Sequence, residues 1–146
     1  MAIVQAVTTS FRAQLLEGCH DFRTIGGDTF KIALYSSSAS LSEATTAYTA
    51  TGEITGSGYT AGGAELTNVT PTSSGVIAYA SFSTVTWSGE LTANGALIYN
   101  TTPTHTYTNP SVMVLSFGID RTSVGGVFTV TMPAFQPGSA LIRIGQ

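Results

Sequence analysis

The stretch TFKIALYS, Thr29–Ser36, alternates between two kinds of side chain. In an extended chain its large apolar residues would share one side: Phe30, Ile32 and Leu34. The opposite side would carry Lys31, Ala33 and Tyr35. A period of two with one strongly apolar side predicts a half-buried β-strand.

Seven further segments have the length and the β-branched or aromatic content of strands. They are Ala64–Thr70, Gly75–Ser81, Val85–Ser88, Gly95–Asn100, Val112–Phe117, Val127–Met132 and Leu141–Ile144. The connections between them contain Gly, Pro, Asn and Ser, as turns do. Because no helical pattern separates these strands, their spacing argues against alternating β–α–β units. The sequence therefore predicts an all-β protein, an antiparallel, jelly-roll-like β-sandwich of about eight short strands.

One connection has the composition of a hairpin. Asp120 and Arg121, in FGIDRTSVGG, are predicted to join the strand Val112–Phe117 to the strand Val127–Met132. We expect an exposed ion pair of small energetic value between the two side chains.

One short helix is predicted near the amino terminus, through FRAQLLEG. Three polar residues are candidates for its N-cap: Thr8, Thr9 and Ser10. Phe11, Leu15 and Leu16 are expected on its buried face, and Gly18 is expected to end it.

A chain of 146 residues has the size of one domain, and it contains no internal repeat or linker. We expect a single β-sandwich domain over residues 1–146. Residues 1–27 would form an N-terminal arm and the short helix, and residues 28–146 the sandwich.

Charged residues make up only 9% of the chain, against about a quarter in ordinary soluble domains. A monomer with so little charge has weak repulsion to prevent association. Lys31 is the only lysine, although lysine commonly protects exposed strand edges from pairing. We therefore expect much of the surface to contact other subunits. The net charge of −3 and the scattered arginines argue against nucleic acid as a partner.

Cys19 is the only cysteine, so no intrachain disulfide and no Cys-cluster zinc site can form. The start MAIVQAVTTSF lacks the basic flank and the long apolar core of a signal peptide. No run approaches the roughly 18 apolar residues of a membrane span. These features predict a protein made and folded in a cytoplasm, without a membrane partner.

The glycine-rich stretch EITGSGYTAGGAELTNV, Glu53–Val69, raises the possibility of a phosphate-binding loop. Such a loop needs a following helix whose N-terminus holds the phosphates. AELTNVTPT is β-branched, alternating and ended by Pro71, so it does not predict that helix. We expect the glycines to adopt positive φ angles or a bulge beside a strand.

Other candidates for chemistry are equally weak. Cys19, His20 and Asp21 are adjacent, but neighbouring residues rarely point into one site, and Cys19 is predicted to be a small buried residue. His20 and His105 have no HxH, HxxxH or acidic loop to support a metal. The eight acidic residues are expected mostly in solvent or turns, and nothing pairs two of them for glycoside hydrolysis. We predict no catalytic residue, no metal, no cofactor and no small-molecule substrate.

Two large aromatic residues, Tyr59 and Trp87, are candidates for a binding site. Large aromatic side chains dominate the burial in cores and in subunit contacts. We therefore expect both of them to be core or contact anchors.

Five segments occur here in one combination. They are FKIAL at Phe30–Leu34, Y…TGEITGSGYTAGG.L at Tyr48–Leu66, VTWS at Val85–Ser88, A.GA.IY at Ala93–Tyr99 and GGVFTV at Gly125–Val130. Together they resemble a family of small virion structural proteins of tailed bacteriophages and prophages. The resemblance covers roughly residues 28–132, and the preceding sequence departs from it. It implies a β-rich particle component without catalytic residues.

The leading hypothesis is a capsid decoration, or cement, protein on the surface of the virion. It would associate with itself, as a trimer, and bind over joints between major capsid subunits, stabilising the head by binding alone. Contacts are expected from the arm Met1–Val7 and from the loops Ser36–Thr51 and Thr101–Pro110. The candidate contact residues are Ile3, Val4, Val7, Leu41, Tyr48, Tyr59, His105 and Tyr107.

Two alternatives remain open. The first keeps the virion and places the protein in the tail, as a fibre, baseplate or adaptor component whose loops recognise a glycan on the host. The second is a hydrolytic enzyme, which would need two carboxylates roughly 5–10 Å apart in one cleft.

Overall fold

In the computed structural model, which describes residues 2–145, the chain forms three antiparallel sheets and one helix. The elements in chain order are β1 (Ala6–Val7), α1 (Thr9–Leu16), β2 (Phe30–Tyr35), β3 (Ala64–Glu65), β4 (Asn68–Ser74), β5 (Ile77–Phe82), β6 (Val85–Ser88), β7 (Thr92–Asn100), β8 (Ser111–Thr122), β9 (Val127–Val130) and β10 (Ile142–Ile144). The strand orders are β1-β8-β7-β2-β3, β10-β5-β4 and β6-β9. The predicted all-β, sandwich-like fold is confirmed.

The main core draws side chains from all three sheets and from α1. Phe30 of β2 stacks on Phe22 with ring centroids 4.5 Å apart, and Phe82 of β5 lies 5.3 Å from Phe30. Trp87 of β6 is buried in the same core and meets Phe128 of β9 edge to face at 6.1 Å. Trp87 is therefore a core anchor, one of the two roles predicted for it.

β2 is buried on both faces, so the prediction of a half-buried strand is wrong. Phe30, Ile32 and Leu34 face the main core, as expected. Ala33 and Tyr35 on the other face are also inaccessible to solvent. A second apolar cluster covers this face, and it includes Ala39 and Leu41 from the segment after β2. The loop between β2 and β3 thus forms a layer of its own over the five-stranded sheet.

Asp120 and Arg121 lie inside β8 rather than in a hairpin connection. β8 continues past Phe117 and pairs with β7, whereas β9 pairs with β6. The carboxylate of Asp120 accepts a hydrogen bond from Nδ2 of Asn94, on β7, at 2.9 Å. The predicted hairpin and its ion pair are therefore wrong, because β8 pairs with β7, the strand before it, and not with β9.

α1 begins and ends close to the predicted positions. Thr8 is its N-cap residue, but the Thr8 hydroxyl donates to a carbonyl of β8 at 3.3 Å instead of capping the helix. Gly18, with φ 75°, follows the C-cap as expected. Phe11 is buried and Leu15 is half-buried, but Leu16 is 92% exposed, which corrects its predicted burial. Leu15 follows Phe11 by about one turn, and Leu16 is rotated by about 100° further.

No helix within residues 2–145 is long and apolar enough to cross a bilayer.

Candidate functional site

The three segments predicted to contact partners lie next to one another. The N-terminal arm runs beside the loop after β2, since the amide of Val4 donates to the carbonyl of Leu41 at 2.9 Å and the amide of Leu41 donates to the carbonyl of Ala2 at 3.1 Å. The same loop reaches the third segment, where the amide of Tyr48 donates to the carbonyl of Asn109 at 3.0 Å. Met1, the first residue of the predicted arm, lies outside the described residues. We call residues 2–7, 36–51 and 101–110 the contact face.

Gly95 of β7 provides the space that the arm occupies. A Cβ atom at this position would lie 2.8 Å from Cγ2 of Ile3 and 2.6 Å from the carbonyl oxygen of Leu115. The Ile3 side chain therefore packs directly on the backbone of the sheet. This contact holds the arm against the second apolar cluster.

The candidate contact residues differ in exposure. Val4 is 50% exposed and Tyr107 is 41% exposed, and His105 is also exposed. Leu41 is only 2% exposed. Its side chain packs against its own sheet, which leaves little of it for a partner to contact. Val7 is half-buried and lies on β1, where it pairs with Met113 of β8.

The exposed side chains of the third segment are held by the end of α1. Nε2 of His105 lies 2.7 Å from the carbonyl oxygen of Glu17, and the hydroxyl of Tyr107 donates to Oε1 of Glu17 at 2.8 Å. The loop between β7 and β8 is thus tied to the chain on both sides, through Glu17 and through Tyr48.

Tyr48 and Tyr59, the remaining candidates, share one carboxylate. The Tyr48 hydroxyl donates to Oε1 of Glu53 at 2.5 Å, and the Tyr59 hydroxyl donates to Oε2 at 2.5 Å. The amide of Gly62 donates to the same Oε2 at 2.8 Å. Tyr59 also accepts a hydrogen bond from the amide of Leu34 at 2.9 Å, which links the carboxylate to β2. Glu53 is therefore the centre of a cluster, not one of the solvated acids among which it was predicted.

Burial and the carboxylate of Glu53 both raise the pKa values of the surrounding tyrosines. Burial, and then the hydrogen bond to Glu53, raises the pKa of Tyr48 to about 12. Burial and the nearby charge of Glu53 raise the pKa of Tyr99 to about 12, and the Tyr99 hydroxyl donates to the carbonyl of Gly62 at 2.5 Å. The Tyr48 and Tyr99 rings stack with centroids 4.8 Å apart. We call Tyr48, Glu53, Tyr59 and Tyr99 the tyrosine cluster, and its hydrogen bonds fasten the loop layer to the sheet.

The glycines of this region have the backbone role predicted for them. Gly62 and Gly63 have φ angles of 93° and 84°, in the left-handed region. The chain then enters β3 rather than a helix. The amide and carbonyl of Gly62 both point into the tyrosine cluster, so the left-handed turn is what presents them.

The adjacent residues Cys19, His20 and Asp21 diverge, as expected. Cys19 is buried, which confirms its prediction, and burial raises the pKa of its thiol. His20 contacts the side chain of Asn100 at 3.0 Å, and burial lowers its pKa to about 4. Asp21 pairs with Arg23 at 2.6 Å. His20 and Asp21 thus have separate structural partners.

Removing the carboxylate of Glu53 should destabilise the protein. In Glu53→Ala two half-buried phenols and the amide of Gly62 lose their acceptor, which is expected to cost about 2–3 kcal/mol of unfolding free energy. Urea unfolding followed by circular dichroism measures the loss. Glu43→Ala, the same change at an exposed acid, is the matched control. Equal stability of the two variants would show that the cluster does not stabilise the fold.

Residues 2–145 contain no group of three or more histidine, cysteine or acidic side chains placed to hold a metal ion. Comparison with protein-family models, with curated proteins and with solved structures found no match.

Proposed function

We propose that the protein is a structural component of a tailed-bacteriophage virion and acts as a capsid decoration protein. It would bind over the joints between major capsid subunits and stabilise the head. The observation that carries the proposal is the contact face, in which three segments from distant parts of the chain are held together on one sheet with Val4 and Tyr107 exposed. The charged fraction of 9% and the resemblance over roughly residues 28–132 support the same function.

The mechanism would be binding without chemistry. A protein that binds the assembled shell but not its separated subunits shifts the equilibrium toward the shell. Several copies joined as a trimer would add avidity, because each further contact forms within the same complex. The tyrosine cluster contributes by holding the loop layer in place before binding, so less conformational freedom is lost when the contact forms.

The tail remains the second candidate. Tyr107, 41% exposed, lies two residues before Asn109, which has an unusual positive φ of 46°. A loop that carries an exposed aromatic ring and an amide side chain is suited to stacking on a sugar and bonding its hydroxyl groups. If this loop recognises a glycan, the protein would belong to a fibre, baseplate or adaptor.

Separation of heads and tails of the phage that encodes the protein, followed by quantitative mass spectrometry, distinguishes the two locations. We expect a copy number on heads comparable with that of the major capsid protein. A few copies confined to tails would favour the second candidate, and absence from both fractions would contradict a virion role altogether.

The contact face can be tested with purified protein and heads that lack it. Val4→Asp should abolish binding to such heads, because it places a charge on an exposed apolar side chain of the proposed interface. Val124→Asp, at a residue 83% exposed outside the contact face, is the matched control and should bind normally. Equal binding by both variants would exclude this face as the capsid contact.

A further inference from the structure

A groove lies beside the free edges of the two larger sheets. β10 is the outer strand of the three-stranded sheet, and β1 is the outer strand of the five-stranded sheet. Val7 of β1 and residues of β10 line two cavities of about 360 and 530 Å³. Leu15 and Leu16 of α1 line the larger cavity. We call this region the edge groove, formed by Val7, Arg12, Leu15, Leu16 and residues 142–145.

The edge groove exposes apolar surface that the core does not use. Leu16 is 92% exposed and Ile144 is 58% exposed. A smaller cavity of about 180 Å³ shares Leu15 and Ile144 with the groove and extends it to Pro71. Isolated exposed apolar residues are ordinary, but a contiguous apolar surface marks a site of interaction.

Two arginines also line the groove. The chain has five Lys and Arg residues in all, and Arg12 and Arg143 both lie here. Their guanidinium groups donate to backbone carbonyls, Arg12 to Val7 at 3.0 Å and Arg143 to Gly138 at 2.7 Å. Within residues 2–145 the ion pair found is that of Arg23 with Asp21, and neither groove arginine pairs with an acidic side chain there. A protein of net charge −3 thus concentrates positive charge beside apolar surface.

We propose that the edge groove binds an extended apolar segment of another protein that carries carboxylate side chains. The segment would pair with the free edge of β10, as peptides add to exposed sheet edges in β-augmentation. Its apolar side chains would cover Leu16 and Ile144, and its carboxylates would meet Arg12 and Arg143 in charge-assisted hydrogen bonds. The groove would accept such a segment from a capsid subunit or from any other protein, so this role stands apart from the virion function.

The test uses the full-length, ¹⁵N-labelled protein and two synthetic peptides with blocked ends. One is Glu-Val-Thr-Val-Thr-Val-Glu, and the other has Lys in place of both Glu residues. Titration followed by NMR should shift the amide signals of β1, α1 and β10, and the acidic peptide should bind at least about tenfold more tightly. The difference should shrink at high salt, because exposed ion pairs are screened.

Charge reversal provides the decisive comparison. In the Arg12→Glu/Arg143→Glu double variant the lysine peptide should become the tighter ligand. Arg23→Glu/Arg121→Glu changes the net charge equally outside the groove and should keep the original preference. If the first variant does not fold, Arg12→Gln/Arg143→Gln should still bind but lose the preference for the acidic peptide.

Three results would overturn the proposal. The first is an absence of shifts at the edge groove at millimolar peptide concentration. The second is equal affinity for the two peptides in the unmodified protein. The third is a shift of the amide signals of the groove when the protein concentration is raised without any peptide. That result would identify a second copy of the chain as the occupant.

Discussion

Replacing Ile32 with aspartate should leave the protein unfolded at room temperature. Ile32 lies in the middle of β2, is inaccessible to solvent, and is paired with Ile98 on one side and Ala64 on the other. A carboxylate there would be desolvated without a partner, and the apolar contacts of the isoleucine would be lost as well. The expected cost exceeds about 5 kcal/mol, which is comparable with the whole stability of many domains. Circular dichroism and thermal unfolding measure the outcome.

Ile119→Asp is the matched control for this prediction. It makes the same substitution in a strand, β8, at a side chain that is 61% exposed. We expect its unfolding free energy to change by less than about 1 kcal/mol. An Ile32→Asp variant as stable as Ile119→Asp would mean that β2 does not face the core as described.

Gly63→Val should be the next most damaging change. Gly63 has φ 84°, a conformation that valine strongly resists. A Cβ atom at this position would lie 1.8 Å from the carbonyl oxygen of Ile32. Because that oxygen belongs to the backbone of a central strand, it cannot move aside without disturbing the sheet. We expect a loss of about 4 kcal/mol in chemical denaturation, since the clash adds to the backbone strain.

Gly75→Val separates the effect of the backbone strain from the effect of the steric clash. Gly75 also has a positive φ, 60°, but a Cβ atom there would meet nothing within 4 Å. It lies in the turn between β4 and β5, and valine there should cost only the backbone strain, about 1–2 kcal/mol. If the two variants lose the same stability, the close approach of Gly63 to β2 is not what requires glycine.

Local patterns in the sequence were sufficient to predict most strands but not their partners. Both boundaries of β6, Val85 and Ser88, agree with the prediction. The alternation in β2 also assigned its residues to the correct faces of the strand. The predicted hairpin at Asp120–Arg121 failed because the pairing of β8 with β7 depends on contacts that no local pattern contains. Turn-like composition alone cannot distinguish a connection from the exposed end of a long strand.

The double burial of β2 was unpredictable for a different reason. The segment Ser36–Thr51 is rich in serine, threonine and alanine, and its apolar residues follow neither the strand nor the helix period. The residues of this segment that cover β2, such as Leu41 and Tyr48, are isolated apolar side chains on an irregular backbone. Covering a sheet with an irregular segment leaves no periodic signal.

Part of the tyrosine cluster could have been found from the sequence. Tyr48 and Tyr59 lie within six residues of Glu53, in a weakly charged stretch that ends in two glycines. The third ring, Tyr99, comes from β7, and one sequence alone cannot bring it to Glu53. The edge groove was missed because Leu16 was predicted to be buried, although it is 92% exposed.

The position of β2 also matters while the chain is being synthesised. β2 is synthesised before residues 36–91, so it leaves the exit tunnel of the ribosome well before its main partner β7 does. During that interval an apolar strand, destined for burial on both faces, has no sheet to join and can pair with strands of other nascent chains. Lys31 is its single charge and the only lysine of the protein, and it sits where a gatekeeper against aggregation is needed. The strand most protected in the finished molecule is thus the one most at risk in the growing chain.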